Sequence, residues 1–340
     1  MKLPFATILT ILLGGACAFG SKPAVPSDAI TPPEAKQVVV TQVGAAQKAL
    51  LKWDVKANDT AEAGAAAAWD DANLQLAAAR KQPPPAQPRP VKGVETWVAH
   101  QREFPAHFLA RYDLVRLDGA GKPTSAVDSQ LGIFVKENPT AAWKLVWYAP
   151  APNPMPKLAV DAQGWAEQVP STAGAGELAV ALGVVAPAYA AYMNDFVQRG
   201  SAPSATFAAG PFTNAAAQNE RGWAGVIASR GLIYRQNYSE ATEYGNYAYR
   251  SADGGAVDFF TVREAATDAP SKAGVCVDQD PRQVNWGPLV PAGRYGSLAK
   301  SYLFMVAAQV PPARAGGAVQ RVPVLTMQGG EVSAQLGPKC

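Results

Sequence analysis

The chain has 340 residues, of which 48% are apolar and 17% are charged, and its formal net charge is +3. This length favours two domains over one. The apolar content excludes a disordered chain, and the nearly balanced charge gives no field for binding nucleic acid. Because only two histidines and three cysteines are present, few ligands remain for a metal, and we predict a globular protein without a metal or other cofactor.

The first 18 residues have the pattern of a secretory signal peptide. Lys2 precedes a largely apolar segment at 3–13, and small residues follow it, which is the order of charge, hydrophobic segment and cleavage site. The apolar segment is too short to span a bilayer. We therefore predict export, with residues 19–33, rich in proline, serine and alanine, as a flexible tether.

Cys17 lies at the predicted cleavage site, and two interpretations remain open. In the first, Cys17 becomes the first mature residue and carries lipid, as in bacterial lipoproteins, which holds the protein on the outer face of the cell membrane. In the second, residues 16–18 form an A-x-A site and Cys17 is removed with the peptide, which gives a secreted protein. Cysteine is rare in this chain, which favours the lipid anchor.

The first predicted domain spans 34–149. Residues 31–34 form a capping box that opens one helix, and Asp59 with Glu62 predicts the start of a second helix, which ends before the proline-rich segment 82–90. Segments rich in β-branched and aromatic residues then predict an antiparallel meander, with Trp143, Leu145 and Trp147 on one face of its last strand. The predicted strands are 94–104, 108–117, 130–136 and 143–148.

The second predicted domain, 157–340, follows a proline-rich linker at 150–156. Helices are predicted from Ala186 to Gly200 and from Thr213 to Gly231. The order of elements repeats that of the first domain, and residues 133–137 resemble residues 260–264, so we predict a duplication with an insertion at 265–294. The predicted strands are 232–238, 244–251, 256–263, 301–309 and 320–327.

Helices that pack on a curved antiparallel sheet predict an α+β fold in two tandem domains, of the NTF2-like or cystatin-like type. A cone of this kind can hold a general base opposite a tyrosine or an acid. Tyrosines in strands more often fill the core, so no catalytic residue is assigned. The candidates considered are His107, Tyr112 and Asp113 in the first domain and Tyr244, Tyr247 and Asp258 in the second.

The remaining cysteines and the two histidines have separate predictions. Cys276 and Cys340 are predicted to form a disulfide, because paired cysteines in an oxidising compartment are usually bonded. His100 and His107 are separated by Pro105, and we do not expect them to share a metal.

The segment 234–249 is the densest aromatic and polar stretch of the chain. Aromatic rings stack on sugars and amides orient hydroxyl groups, so this segment predicts a candidate face for a glycan or peptide ligand. The alternative is an exposed hairpin without a ligand. The residues of this candidate face are Tyr234, Tyr238, Tyr244, Tyr247 and Tyr249.

Four segments carry a family resemblance: 104–108 (FPAHF), 143–146 (WKLV), 207–213 (FAAGPFT) and 253–260 (DGGAVDFF). Together they resemble a family of actinobacterial secreted proteins and lipoproteins of unknown function, over nearly the whole mature chain. The resemblance implies a location in the cell envelope and no established activity or site residue.

The leading functional hypothesis is a non-enzymatic, extracytoplasmic and lipid-anchored protein that binds an envelope protein, a glycan or a peptide. It depends on the export signal, the duplication and the lack of catalytic motifs in the sequence. Two alternatives remain open. One is a small-molecule carrier or pocket enzyme of the NTF2-like type, and the other is a scaffold component of an envelope export or conjugation apparatus.

Overall fold

A computed structural model describes residues 28–174, 176–200, 206–279, 289–314 and 320–340. The predicted signal peptide, Cys17 and most of the predicted tether lie outside the described residues. None of the described helices is long and apolar enough to cross a membrane.

Three helices begin the described chain: α1 (Pro32–Leu50), α2 (Val55–Ala61) and α3 (Gly64–Ala79). The predicted capping box opens α1, where the Thr31 backbone N–H donates to Glu34 Oε2 at 2.8 Å. The second predicted cap is wrong. Asp54 caps α2 by accepting from the Ala57 backbone N–H at 3.0 Å, so Asp59 lies inside a helix and Glu62 follows its end.

The first sheet is an antiparallel meander in the order β1-β2-β3-β4. A register shift between Ile133 and Phe134 interrupts the pairing of β3 with β4. Because a bulge reverses the alternation of faces, Trp143 and Leu145 lie on the helix side and Trp147 on the opposite side, which corrects the predicted common face. The strands are β1 (Val91–Val98), β2 (Ala106–Leu117), β3 (Pro123–Lys136) and β4 (Lys144–Pro150).

Two helices open the second half after a 3-10 turn at Leu182–Val184. Helix α4 (Val185–Arg199) ends at Gly200, whose φ of 79° is the left-handed cap that glycine favours. A π-helical turn (Pro211–Ala215) leads into α5 (Ala216–Ser229). Thr213, where the sequence predicts the start of the second helix of this half, lies inside that turn, and its hydroxyl donates to the Ala208 carbonyl at 2.8 Å.

The second sheet has the order β11-β10-β7-β5, with β6 also paired to β7. By sheet order β3 corresponds to β10, so the similar strings at 133–137 and 260–264 lie in strands that are not equivalent. Strand β7 continues past 265 to Pro270, and β8 and β9 form a separate ribbon. The strands are β5 (Leu232–Glu240), β6 (Tyr247–Arg250), β7 (Ala256–Pro270), β8 (Val277–Gln279), β9 (Gly293–Tyr295), β10 (Leu298–Val310) and β11 (Val324–Leu336).

The two halves pack sheet against sheet, with α1 and α4 on the outer faces and α3 contributing to the core between the sheets. One apolar core lies between α1 and the first sheet, a second between the two sheets, and a third between the second sheet and α4. Trp147 belongs to the middle core and donates its indole N–H to the Phe260 carbonyl at 3.2 Å. The predicted α+β class with antiparallel sheets is confirmed, and the halves share a core.

Candidate ligand-binding site

A cleft of about 460 Å³ opens where the two halves meet, and we call it the seam cleft. The loop before β2 forms most of its wall, and Gln168 of the second half closes it. Ligand sites have volumes of several hundred Å³ and prefer such junctions. Its lining residues are His100, Gln101, Arg102, Glu103, Pro105, His107 and Gln168.

His107 stands in this cleft in a fixed position. The Gln101 side chain binds its backbone at both ends, accepting from the His107 N–H at 2.8 Å and donating to the His107 carbonyl. Gln168 donates to the same carbonyl at 3.3 Å. The imidazole packs edge-on against Tyr247, with ring centroids 4.9 Å apart, and against Tyr249 at 6.0 Å. Residues of both halves therefore hold this one side chain.

The His107 imidazole is neutral at physiological pH, because burial lowers its pKa to about 4. A neutral imidazole offers one N–H donor and one acceptor nitrogen. No described residue forms a hydrogen bond with either ring nitrogen. A half-buried imidazole without a described hydrogen-bond partner, placed in a cleft and with a perturbed pKa, is typical of a binding site.

Charges of both signs surround the mouth of the cleft. Arg102 and Glu103 are exposed, and within the described chain neither forms a salt bridge. The His100 ring stacks on Trp165 with centroids 4.1 Å apart, and its Nδ1 lies 2.9 Å from Asp28 Oδ2. Glu103 can thus pair with a cationic group of a ligand while Arg102 pairs with an anionic group.

A family described as a domain of unknown function, DUF8094, matches residues 26–335. The chain belongs to the DUF8094 family. No curated protein and no solved structure matches it. The comparisons therefore support the coarse part of the predicted resemblance, a family of unknown function.

The DUF8094 chain brings its two histidines to one cleft, although His100 is exposed and His107 is half-buried. The sequence predicts no shared metal for the two histidines and offers His107 as a candidate general base. Within the described residues, no group of three or more potential ligands could hold a metal ion. Gln101 and Gln168, which position His107, were not singled out. They come from loops on either side of the predicted linker, and no spacing in the sequence relates them.

The five tyrosines of the predicted ligand face do not share one face. Tyr238 belongs to the core on the helix side of the second sheet, whereas Tyr249 belongs to the core between the sheets. The reason is the pairing with β7, where Tyr238 lies opposite Glu264 and Tyr249 opposite Val257, positions whose side chains point to opposite faces. Tyr234 lies on the same face of β5 as Tyr238. Tyr244 and Tyr247 pack beside Tyr249, in the core between the sheets.

The other candidate residues are dispersed. Tyr112 is buried in the core beneath α1, and Asp113 accepts a hydrogen bond from the Ser129 hydroxyl. Asp258 is 1% exposed and lies opposite Ala248 and Ala308. Burial raises its pKa to about 8, so its carboxyl group is mainly protonated at neutral pH. These side chains do not meet His107 in one reaction site.

Cys276 and Cys340 lie within disulfide-bonding distance, with Cα atoms 6.4 Å apart. The pairing predicted from the sequence is thus confirmed at the level of distance. The pair joins the segment that carries β8 to the last residue of the chain.

Proposed function

We propose that this DUF8094 protein is an extracytoplasmic, lipid-anchored binding protein without enzymatic activity, and that its seam cleft takes a small polar ligand without net charge. An α-amino acid or a short peptide has this chemistry. The observation that carries the proposal is the neutral His107 ring, fixed in the cleft and without a described hydrogen-bond partner.

The chemistry of the cleft selects the ligand class. A neutral imidazole binds a group that both donates and accepts, as an amide does. Because burial disfavours the imidazolium form, the inner wall does not provide a cation for an anionic ligand. The charges at the mouth, Arg102 and Glu103, fit the carboxylate and ammonium groups of a zwitterion.

The surroundings of His107 favour binding over catalysis. A histidine that activates a nucleophile is hydrogen-bonded to it and is oriented by a third polar group. Here the described neighbours of the ring are the aromatic rings of Tyr247 and Tyr249. The hydrogen bonds that fix the residue go to its backbone and leave the ring nitrogens for a ligand.

The two histidines of the chain allow a direct test by ¹⁵N NMR of the imidazoles. We expect L-alanine or alanyl-alanine to shift the His107 nitrogen signals and to saturate, while D-glucose and acetate do not. The variant His107→Phe keeps a ring of similar size against Tyr247 and removes both nitrogens, so it should fold and lose at least tenfold in affinity.

Glu243→Gln is the matched control, because Glu243 pairs with Arg263 on the surface of the second half. It should bind the ligand like the unchanged protein. Equal affinity of His107→Phe for the ligand would refute the seam cleft as its site.

The location is tested separately by the intact mass of the protein from membrane and culture fractions. A mature chain that begins at Cys17 and carries acyl chains, found in the membrane fraction, is the expected result. A chain that begins after Cys17 in the culture fluid would contradict the lipid anchor and leave the ligand proposal standing.

A further inference from the structure

A row of alternating tyrosines and glutamates crosses the helix-facing side of the second sheet. In the strand register, Tyr238 of β5 lies opposite Glu264 of β7, Glu264 opposite Tyr302 of β10, and Tyr302 opposite Glu331 of β11. Tyr238 belongs to the core that faces α4, which fixes the side of the row. We call these four residues the Tyr–Glu row.

Further polar groups converge on one end of the row. The Tyr234 hydroxyl donates to Glu264 Oε1 at 2.8 Å and lies 3.3 Å from Oε2 of Glu220, a residue of α5. Lys300 donates to Asp268 Oδ2 at 3.0 Å, and its ammonium lies 5.5 Å from the centre of the Tyr234 ring. The ammonium group of Lys300 is thus the single described cation among four carboxyl groups, those of Glu220, Glu264, Asp268 and Glu331.

The surroundings raise the pKa values of two of these carboxyl groups, Glu220 and Glu331. Burial, followed by the negative charge of Glu264, raises the pKa of Glu220 to about 7. Burial likewise raises the pKa of Glu331 to about 7, although Lys300 and Tyr302 oppose that shift. A cation beside these groups would favour their ionised forms.

Three buried polar atoms near the row have no described hydrogen-bond partner, which independently points to a ligand. Both amide atoms of Gln236 are removed from solvent and have no hydrogen-bond partner in the described structure, and the same holds for Asp268 Oδ1. Gln236 lies on β5 between Tyr234 and Tyr238, and the Asp268 side chain is 6% exposed. Buried polar groups are nearly always satisfied, so a ligand with polar hydrogens fits this place.

We propose that the Tyr–Glu row is a second binding site, separate from the seam cleft, for a small molecule with two ammonium groups joined by a methylene chain. Glu264 and Glu331 lie two strands apart, which is roughly 9.6 Å from strand spacing. One ammonium group would lie near Glu264 and Glu220 and the other near Glu331. The Tyr302 ring between them provides an apolar surface for the methylenes and attracts cations over its face.

Calorimetric titration of the full chain at pH 8 tests this site with 1,4-diaminobutane, 1,6-diaminohexane and n-butylamine. We expect at least one diamine to bind tenfold or more tightly than butylamine. Glu331→Gln should reduce diamine affinity to that of butylamine and leave butylamine binding unchanged. Glu220→Gln, which alters the other end, should weaken both classes of ligand.

The controls separate this site from the seam cleft. His107→Phe and Glu243→Gln should bind the diamine like the unchanged protein. Butylamine as tight as both diamines, or a diamine affinity that Glu331→Gln does not change, would overturn the proposal. Loss of diamine binding in His107→Phe would also overturn it, because the diamine would then occupy the seam cleft.

Discussion

The two halves both bury carboxyl groups beside tyrosines, but they differ in whether the polar groups around those carboxyl groups have hydrogen-bond partners. In the first half, Asn58 donates to Glu62 at 3.0 Å and to Asp71 at 3.1 Å, and Tyr148 donates to Asp70 at 2.7 Å. We call these five residues the acidic cluster. Each of them has a partner within the cluster, whereas Gln236 beside the Tyr–Glu row has none that is described.

Perturbed acidity does not distinguish the two halves. Burial and the negative charge of Asp70 raise the pKa of Glu62 well above its ordinary range, and burial raises the pKa of Asp70 to about 6. Structural networks shift pKa values as binding sites do. Hydrogen bonds that remain unmade are the better sign of a ligand site. The satisfied acidic cluster is therefore assigned to stability, and the unsatisfied atoms of Gln236 and Asp268 favour a ligand beside the Tyr–Glu row.

Removing the disulfide should have the largest effect and should act on the second half. The pair Cys276 and Cys340 spans 64 residues, and loop-closure entropy gives about 4 kcal/mol for a loop of this size. Val277 packs with Ile227 of α5 and Leu298 of β10, beside the end of the Tyr–Glu row. Urea unfolding of the double variant Cys276→Ser, Cys340→Ser should show this loss, together with weaker diamine binding.

Hydrogen exchange of that double variant shows where the loss occurs. Amides of α3 and β4, which surround the acidic cluster, should keep their protection relative to those of β10 and β11. Uniform loss of protection in both halves would mean that the shared core transmits the effect, and the two clusters would then not be independent.

Asn58→Leu should break the acidic cluster. Leucine has a similar shape and cannot donate to Glu62 or Asp71, and two lost bonds to acidic groups in a buried site amount to about 3 kcal/mol. Asn73→Ala is the control, because Asn73 is exposed on α3 and bonds only to the Trp69 carbonyl. Thermal unfolding should separate the two variants, and a similar small loss in both would show that the cluster contributes little to stability.

The acidic cluster also predicts a dependence of stability on pH. Asp70 has a pKa of about 6 in the folded protein against an ordinary 3.8, so between these values the unfolded chain releases a proton that the folded chain keeps. Stability therefore falls as pH rises from 4 to 7, by about 2–3 kcal/mol from this residue.

Urea unfolding at pH 4.5 and pH 7.5 measures this fall. Asp70→Asn retains an acceptor for Tyr148 and cannot ionise, so its stability should depend less on pH than that of the unchanged protein. Other buried acids, Asp258 among them, contribute in the same direction, and the difference between the two proteins isolates Asp70. Identical pH profiles would rule out a raised pKa at this position.

The sequence could predict the elements of both halves because each depends on local patterns. The capping box at α1, the glycine after α4 and the β-branched strand segments all act within a few residues. The sites depend on pairings between distant residues. The Tyr–Glu row exists only in the register of four strands, and the seam cleft only where the loop before β2 meets Gln168.

Local errors had nonlocal causes as well. The bulge beside Phe134 places Trp147 on the other face of the sheet. Trp147 therefore lies in the core between the two sheets, whereas the sequence predicts only a core between helices and sheet in each half. Glu62 has the spacing of a cap with Asp59, but its side chain is 3% exposed and bonded to Asn58. A cap and a buried acid use the same residue types, so only the tertiary contacts distinguish them.

The smallest expected effect is a gain in stability rather than a loss. It tests most directly whether the polar atoms beside the Tyr–Glu row lack partners while those of the acidic cluster have them. Gln236→Met keeps the length of the side chain and removes two buried polar atoms without partners, so it should raise stability by about 1 kcal/mol. Gln168→Met, its control, removes the donor to the His107 carbonyl and should lower stability by a similar amount. Urea unfolding without ligand measures both. If Gln236→Met were destabilising, its amide would have a partner in the free protein, and the distinction between the satisfied acidic cluster and the unsatisfied amide beside the Tyr–Glu row would fail.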